Sequence, residues 1–360
     1  MAREVGHEVS DARAAADVQP RKLRILVLGG TGYIGPHLVE HALSRGHTLT
    51  LFNRGQTKPG LFPKVEKLIG DRDQPAGHAA LKGRTWDVVY DLPTGKPKWI
   101  VDAAAVLKGN VGQYVFVSST AAYRDFTASY PTEEFPTQDP APVEGPDSAS
   151  AAYGPRKVRC EMLVREAYAT ATIVRPGLIV GPGDLTDRFT YWPVRIERGG
   201  EILAPGTLND PAQWIDVRDL TEWMVRLSEN GTGGTFNAVG PRTVCGIGEL
   251  LYGIKACYSN NARFTWVPQE FLTQQKVRSW GDMPVWSYPG ASTVAFCTSV
   301  IEKAKAAGLT FRTLENTVRA AMMWYHARPA AEQEKLRAGL SPEREREVLA
   351  LWHAQQGGGR

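Results

Sequence analysis

The chain lacks most of the features that mark specialised classes of protein. Its four cysteines, Cys160, Cys245, Cys257 and Cys297, are far apart and show no CxxC or Cys/His ligand spacing. That excludes a disulfide framework or a zinc module and leaves reduced, packed thiols, with no metal expected and a cytoplasmic location the simplest inference. No apolar run reaches the roughly 18 residues that a membrane span requires, so no membrane partner is expected. Residues 1–22 are Ala-rich and charged, without the apolar core of a secretory signal, and read as a flexible extension. There is no run of five like charges: 42 basic residues are scattered among 38 acidic ones for a net charge of +4, which offers no arm or stripe for nucleic acid. No internal repeat is present. What remains is a globular chain of 360 residues, 42% hydrophobic, long enough for a large core or two lobes.

Against that background a glycine-rich turn stands out. The apolar run 23–28 leads into Gly29-Gly30-Thr31-Gly32-Tyr33-Ile34-Gly35, and an amphipathic stretch follows from His37 to Arg45. The order is strand, tight turn, helix. Gly29 allows the turn, Gly32 lets the backbone approach a pyrophosphate, and Gly35 lets helix and strand pack closely, while free N–H groups and the helix dipole attract the anion. Pro36 falls in the first helical turn, where its missing N–H costs nothing. Gly29, Thr31, Gly32, Tyr33, Ile34 and Gly35 are therefore candidate cofactor-binding residues.

Short apolar runs recur at 48–53, 65–69, 86–91, 113–118 and 171–175, alternating with helical patterns. Near-continuous apolarity, as in Tyr114-Val115-Phe116-Val117, suits strands covered on both faces. The pattern predicts an α/β fold: a Rossmann-type doubly wound parallel sheet with a smaller C-terminal substrate-binding lobe. The expected division is an extension over 1–22, a dinucleotide-binding domain over 23–180 to which 213–240 returns, a substrate lobe mainly over 181–330, and a helical tail over 331–360. Helices are expected near 218–229, 246–258 and 313–327, and strands near 213–215, 234–238 and 263–267. Ser341-Pro342 opens a further helix, Ser as N-cap and Pro at N1.

Tyr153 and Lys157 stand one helical turn apart and share a helix face. A free Tyr phenol, with a pKa near ~10, is a poor base at neutral pH, and a neighbouring ammonium favours the phenolate. Such a Tyr can shuttle the hydroxyl proton that must leave a carbinol as its hydride departs. Together with the glycine turn, Ser118-Ser119 closing a strand, Tyr153-Gly154-Pro155-Arg156-Lys157, Arg175-Pro176-Gly177 and Trp214-Ile215-Asp216-Val217-Arg218-Asp219, the chain resembles the extended short-chain dehydrogenase/reductases, and within them the NAD-dependent epimerase/dehydratase family. The likeness runs over roughly residues 22 to 330.

The resemblance implies roles. Tyr153 would be the catalytic acid/base, Lys157 would hold the nicotinamide ribose, and Ser119 would hydrogen-bond the reacting oxygen, with Ser118 and Thr120 as substitutes. Asp71 would contact the adenine amino group, or serve as an ordinary turn residue. Asp216, Arg218 and Asp219 would organise the substrate lobe by ion pairs or touch substrate. Family dehydratases carry Asp-Glu after the catalytic Thr, and decarboxylating members a Glu at the position of Ala122. Thr120-Ala121-Ala122 has neither, which disfavours elimination and decarboxylation and leaves hydride transfer or a pair of transfers that inverts a carbinol.

The second strand ends Asn53-Arg54 where NAD-specific members place an acid, so Arg54 favours NADP(H) over NAD(H). Pro93 and Thr94 are expected to reshape the cofactor wall. The substrate expected is a small sugar-like molecule, a nucleotide sugar first, and of Tyr191, Trp192, Trp280, Trp286 and Tyr288 most should be core or lobe packing, with no more than one or two touching it. Helices at 97–108 and 152–168 resemble a family homodimer interface. The alternative is a non-catalytic dinucleotide-binding scaffold that binds RNA, as plastid relatives of this group do, or senses redox state.

Overall fold

Alternation along the strands decides which helices cover which face of the sheet. The computed structural model describes residues 21–92, 95–144 and 153–357. The expected flexible extension, apart from its last two residues, and the expected effect of Pro93 and Thr94 lie outside the described residues. The strands are β1 (Arg24–Leu28), β2 (Thr48–Asn53), β3 (Glu66–Ile69), β4 (Trp86–Asp91), β5 (Val111–Val117), β6 (Ala171–Pro176), β7 (Ile179–Val180), β8 (Glu201–Pro205), β9 (Ile215–Asp216), β10 (Gly234–Ala238) and β11 (Arg263–Val267). The helices are α1 (Ile34–Ser44), α2 (Pro97–Leu107), α3 (Tyr153–Ala167), α4 (Tyr191–Glu197), α5 (Val217–Glu229), α6 (Ile247–Lys255), α7 (Gln269–Gln274), α8 (Glu302–Ala306), α9 (Leu314–His326), α10 (Ala330–Gln333) and α11 (Pro342–Gly357).

Seven strands form one parallel sheet in the order β3-β2-β1-β4-β5-β6-β10. This is the expected α/β, Rossmann-type class. In β1, Ile25 and Val27 join a core with Leu38 and Val39 of α1 and with Leu220, Trp223 and Met224 of α5. Leu26 and Leu28 point the other way, into a core with Ile100 and Ala103 of α2 and with Cys160 and Val164 of α3. The sheet is thus double-covered, as its continuous apolar strands require. Order reverses between β1 and β4, and the crevice beyond their carboxyl ends is where such sheets bind ligands.

A third core, with Trp192, Leu250, Leu251, Trp286 and Val318 among its members, sits in the C-terminal lobe on α4, α6 and α9. Strands β8 and β11 pair there across about sixty intervening residues. The sequence reading anticipated β11 but neither β8 nor α4, because both lie in a Gly/Pro-punctuated stretch with no long period to read. Helix α11 begins as expected, the Ser341 hydroxyl accepting from the Arg344 N–H at 3.2 Å. Its buried Glu345 accepts from Arg195 Nε at 2.5 Å and from the Leu203 N–H at 3.0 Å, which pins the tail to β8. No helix among the described residues is long and apolar enough to cross a membrane.

Candidate functional site

Backbone geometry opens the first half of the site. Gly29 and Gly30 adopt φ of 107° and 90°, values that favour glycine. A Cβ on Gly35 would lie 2.4 Å from the Gly30 carbonyl carbon, whereas one on Gly32 would meet nothing within 4 Å. Gly35 therefore locks helix to turn, and Gly32 faces open space. That space is a cleft of about 400 Å³ lined by Gly29, Thr31, Gly32, Asn53, Arg54, Asp71, Arg72, Asp73, Lys96 and Trp99, with others. Among the described residues no side chain caps α1, so its first N–H groups are left for an anion where the turn passes from this cleft to the next, as a dinucleotide's pyrophosphate requires.

Asn53 closes the far wall: its Nδ2 donates to the Gly29 carbonyl at 3.3 Å and its Oδ1 accepts from the Gly55 N–H at 2.8 Å. Asp71 lines the cleft, and one of its oxygens also accepts from the Asp73 N–H at 3.1 Å, so it is a turn residue as well. Sequence reasoning missed the aromatic wall. Trp99 Nε1 donates to Asp73 at 2.8 Å, with the Arg72 guanidinium 4.7 Å and the Lys96 ammonium 5.1 Å from the Trp99 ring centroid. The Lys96 hydrogen bond, helped by Trp99 and by the charge of Arg54, holds the Asp73 carboxyl below its ordinary value against some burial. Beneath the cleft Arg72 grips buried Asp91 through two bonds of 2.8 and 2.9 Å, and Tyr114 donates to the same carboxylate at 2.7 Å.

The turn continues into a second cavity of about 500 Å³, where Tyr33 and Ile34 meet Ser119, Tyr153 and Lys157. Tyr153, the first described residue of α3, is 41% exposed. One turn on, Lys157 is 4% exposed; its ammonium donates to the Val117 carbonyl at 2.7 Å and lies 5.7 Å from the Tyr153 ring centroid. The two serines at the end of β5 part company. Ser118 turns inward and donates to Glu161 at 2.5 Å, and Arg175 grips that carboxylate at 2.9 and 2.6 Å. Burial pushes the Glu161 carboxyl up, but the Arg175 fork and Ser118 outweigh it and hold the group below its ordinary value. Ser119 faces the cavity and its oxygen accepts from the Ala121 N–H at 3.1 Å, capping a short 3-10 turn over Thr120–Ala122. A Cβ on Gly154 would lie 2.2 Å from the Ala121 carbonyl oxygen, so glycine there lets α3 close on this turn.

The opposite wall comes from the lobe: Asp184, Thr186, Arg188, Trp280 and Phe296. None of these except Trp280 was singled out from the sequence; the Gly181-Pro182-Gly183 turn after β7 was the available signal. Trp280 holds φ of 61°, costly for a bulky residue, with its ring 5.3 Å from Phe296. Burial pushes the Asp184 carboxyl up although Thr186 donates to it twice. Its other oxygen and the Tyr33 hydroxyl are buried without a hydrogen-bond partner among the described residues. Tyr191, Trp192 and Trp286 belong to the lobe core, and Tyr288 packs on it. Asp216 caps α5, pairs with Arg218 and accepts from Thr317, while Asp219 pairs with Arg312. These bonds tie α5 to the lobe.

A family model described as the NAD dependent epimerase/dehydratase family matches residues 25–239. The chain is 27% identical over 237 residues to the chloroplast stem-loop binding protein of 41 kDa b from Arabidopsis thaliana, covering 61% of this chain. It spans only 60% of that relative's length. Among solved structures, a candidate epimerase from Burkholderia cenocepacia J2315 superposes with a TM-score of 0.63 at 19% identity, covering 88% of this chain and 100% of the other. The UDP-N-acetylglucosamine 4-epimerase from Bacillus cereus gives 0.57 at 16% identity, covering 84% and 99%. At these identities the structural likeness is one of fold. The family match spans most of the sheet, its glycine turn and the strand ends that carry both cavities, and on that ground the chain belongs to the NAD-dependent epimerase/dehydratase family.

Proposed function

We propose that the protein is an oxidoreductase or epimerase acting by hydride transfer at a secondary alcohol or ketone of a sugar-like substrate, a nucleotide sugar first. The single observation that carries this reading is the gathering of Ser119, Tyr153 and Lys157 in one cavity that shares the glycine turn with the dinucleotide-shaped cleft. A bound nicotinamide would supply the acceptor or donor of hydride for the carbinol carbon. Tyr153 moves the accompanying hydroxyl proton. Ser119 spends its oxygen on the Ala121 N–H and keeps its own O–H to steady the reacting oxygen. Lys157, anchored on the Val117 carbonyl, would hold the ribose end of the cofactor. Ala121 and Ala122 supply no acid or base for elimination, which leaves transfer alone or paired transfers. The 4-epimerase activity named for the structural relative from Bacillus cereus accords with this.

Arg54 on the cleft wall favours NADP(H) in this reading, as a partner for a 2′-phosphate, with Lys96 on the same cleft. The protein as purified, titrated with NADPH and NADH by fluorescence, tests it. NADPH should bind more tightly, and Arg54→Ala should weaken NADPH about 10- to 100-fold and leave NADH unchanged. A co-purifying, slowly exchanging NAD would defeat the NADP(H) assignment. Failure of either dinucleotide to bind would defeat the enzyme. Turnover is then sought with keto-sugars and UDP-sugars.

A homodimer is expected through α2 and α3, where Val101 and Ala105 are exposed while Ala104, Leu163 and Ala167 pack against the chain's own core; sedimentation equilibrium with Val101→Glu, expected monomeric, tests this. The plastid relative's stem-loop binding supports the RNA-scaffold reading as second choice. An RNA hairpin that shifts the protein's mobility equally well with Tyr153→Phe would favour it.

A further inference from the structure

Strand β2 ends on Asn53 with Arg54 next, and no acid stands there. Its neighbour β3 supplies one. Ile69 of β3 pairs with Asn53, and the Gly70 N–H donates to the Asn53 carbonyl at 3.0 Å, so the turn over residues 70–73 leaves the sheet beside Arg54. Asp73, on that turn, lines the cofactor cleft with Arg54, Lys96 and Trp99. The charge of Arg54 reaches its carboxylate and helps to keep it ionised. Asp73 therefore opposes the two cations, Arg54 and Lys96, that this wall could turn on a phosphate. The third cation of the lining, Arg72, is buried and paired with Asp91.

The carboxylate is held by one oxygen. Lys96 donates to Oδ1 at 2.9 Å and Trp99 Nε1 to the same atom at 2.8 Å, and among the described residues no hydrogen bond ends on Oδ2. The Asp73 and Lys96 side chains are 44% and 33% exposed, and an ion pair so open to water contributes little stability and changes partners readily. Trp99 is fixed by other means. Arg72 Nη2 donates to its backbone carbonyl at 3.2 Å, and the indole belongs to the first turn of α2. When Lys96 lets go, Trp99 still keeps Asp73 in place.

We propose that Asp73 is a specificity-determining residue of the cofactor cleft: its carboxylate holds Lys96 back from the 2′-phosphate of NADP(H) and so keeps the preference for NADP(H) over NAD(H) narrow. The proposal rests on the reading of Arg54 as the partner of that phosphate. A 2′-phosphate carries about two negative charges, so it is repelled by Asp73 and competes with it for Lys96. The ribose hydroxyl of NAD(H) does neither. Removing the Asp73 charge therefore favours one dinucleotide and leaves the other as it was.

Isothermal titration calorimetry of the full chain with NADP+ and with NAD+, in the absence of substrate, reads binding without hydride chemistry. Asp73→Asn removes the charge and keeps an oxygen for Trp99. It should tighten NADP+ about 10-fold and leave NAD+ within about twofold. Lys96→Ala added to Asp73→Asn should bring NADP+ back to about the wild-type affinity, because it removes the cation that the first change released. Equal tightening of both dinucleotides, which a general attraction for phosphate would give, overturns the proposal. So does a gain that survives Lys96→Ala, the absence of any gain, or a weakened grip on NAD+ in Asp73→Asn, which would make the carboxylate a ribose acceptor instead. Arg54→Ala in the wild-type background tells the two readings apart. If it leaves NADP+ binding unchanged, the Arg54 assignment falls; if it weakens NADP+ while Asp73→Asn gives no gain, only the role of Asp73 falls.

Discussion

The two cavities that meet at the glycine turn are made of different material. The cofactor cleft has a backbone floor, the positive-φ glycine turn and the carboxyl ends of β1 and β2, and a polar wall from Arg54, Asp73, Lys96 and Trp99. The reacting cavity is framed by side chains, with Ser119, Tyr153 and Lys157 from the sheet domain facing Asp184, Thr186, Arg188, Trp280 and Phe296 from loops of the lobe. A backbone cradle suits what every member of a fold must hold, and a side-chain cavity can be rewritten residue by residue without disturbing it.

The contrast can be broken at several points. The largest effect is expected at Tyr153. Tyr153→Phe should lower turnover about 10³-fold, in the range for loss of a positioned acid/base, and leave dinucleotide affinity unchanged in a fluorescence titration. A loss of affinity instead would make Tyr153 part of the cradle.

Next comes the support beneath the side-chain cavity. Glu161→Gln removes one charge from a buried pair and should cost about 3–5 kcal/mol in denaturant unfolding. Because the folded Glu161 carboxyl lies below the ordinary 4.5, its contribution is present above that pH and is lost as pH falls through the lower folded value. The wild type should therefore show an acid loss of stability that Glu161→Gln lacks.

The cradle is sharpened by a glycine pair. Gly35→Ala forces a Cβ against the Gly30 backbone and should cost about 1–3 kcal/mol of stability. Gly32→Ala has room and should leave stability within about 0.5 kcal/mol while weakening the dinucleotide, by filling the space its pyrophosphate needs. Equal stability losses would deny the two glycines their separate duties.

The smallest expected effect concerns His78, stacked 5.6 Å from Phe52 beside the cofactor cleft. Burial, with Arg72 nearby, pushes its pKa down from 6.5 to about 4. The unfolded chain takes up this proton first, so His78 favours unfolding progressively as pH falls from 6.5 towards 4 and adds nothing above 6.5. His78→Phe should flatten stability over that window and change little at neutral pH, as urea midpoints at each pH would show.

The same contrast explains what the sequence made legible. Strands β2 and β4 fall where their apolar runs predicted them, because buried parallel strands carry their signal locally. The glycine turn was legible for the same reason. Trp99, Lys96, Arg188 and Phe296 were not, since they reach their cavities from separate elements and their neighbours in space are distant in the chain. Ser118 and Ser119 lie between these cases: both were candidates, and only the placement of Glu161 shows which hydroxyl is committed to the interior.

That committed serine gives β5 a reading frame. Ser118 and Ser119 differ only in parity, one facing Arg175 and Glu161, the other the reacting cavity. Removing one residue from β5 would bring Ser119 to the inward place and Thr120 to the cavity, keeping a hydroxyl at each, whereas removing two would bring Thr120 inward and leave Ala121 at the cavity with none. The Ser-Ser-Thr run should therefore make a one-residue deletion less damaging to this site than a two-residue one.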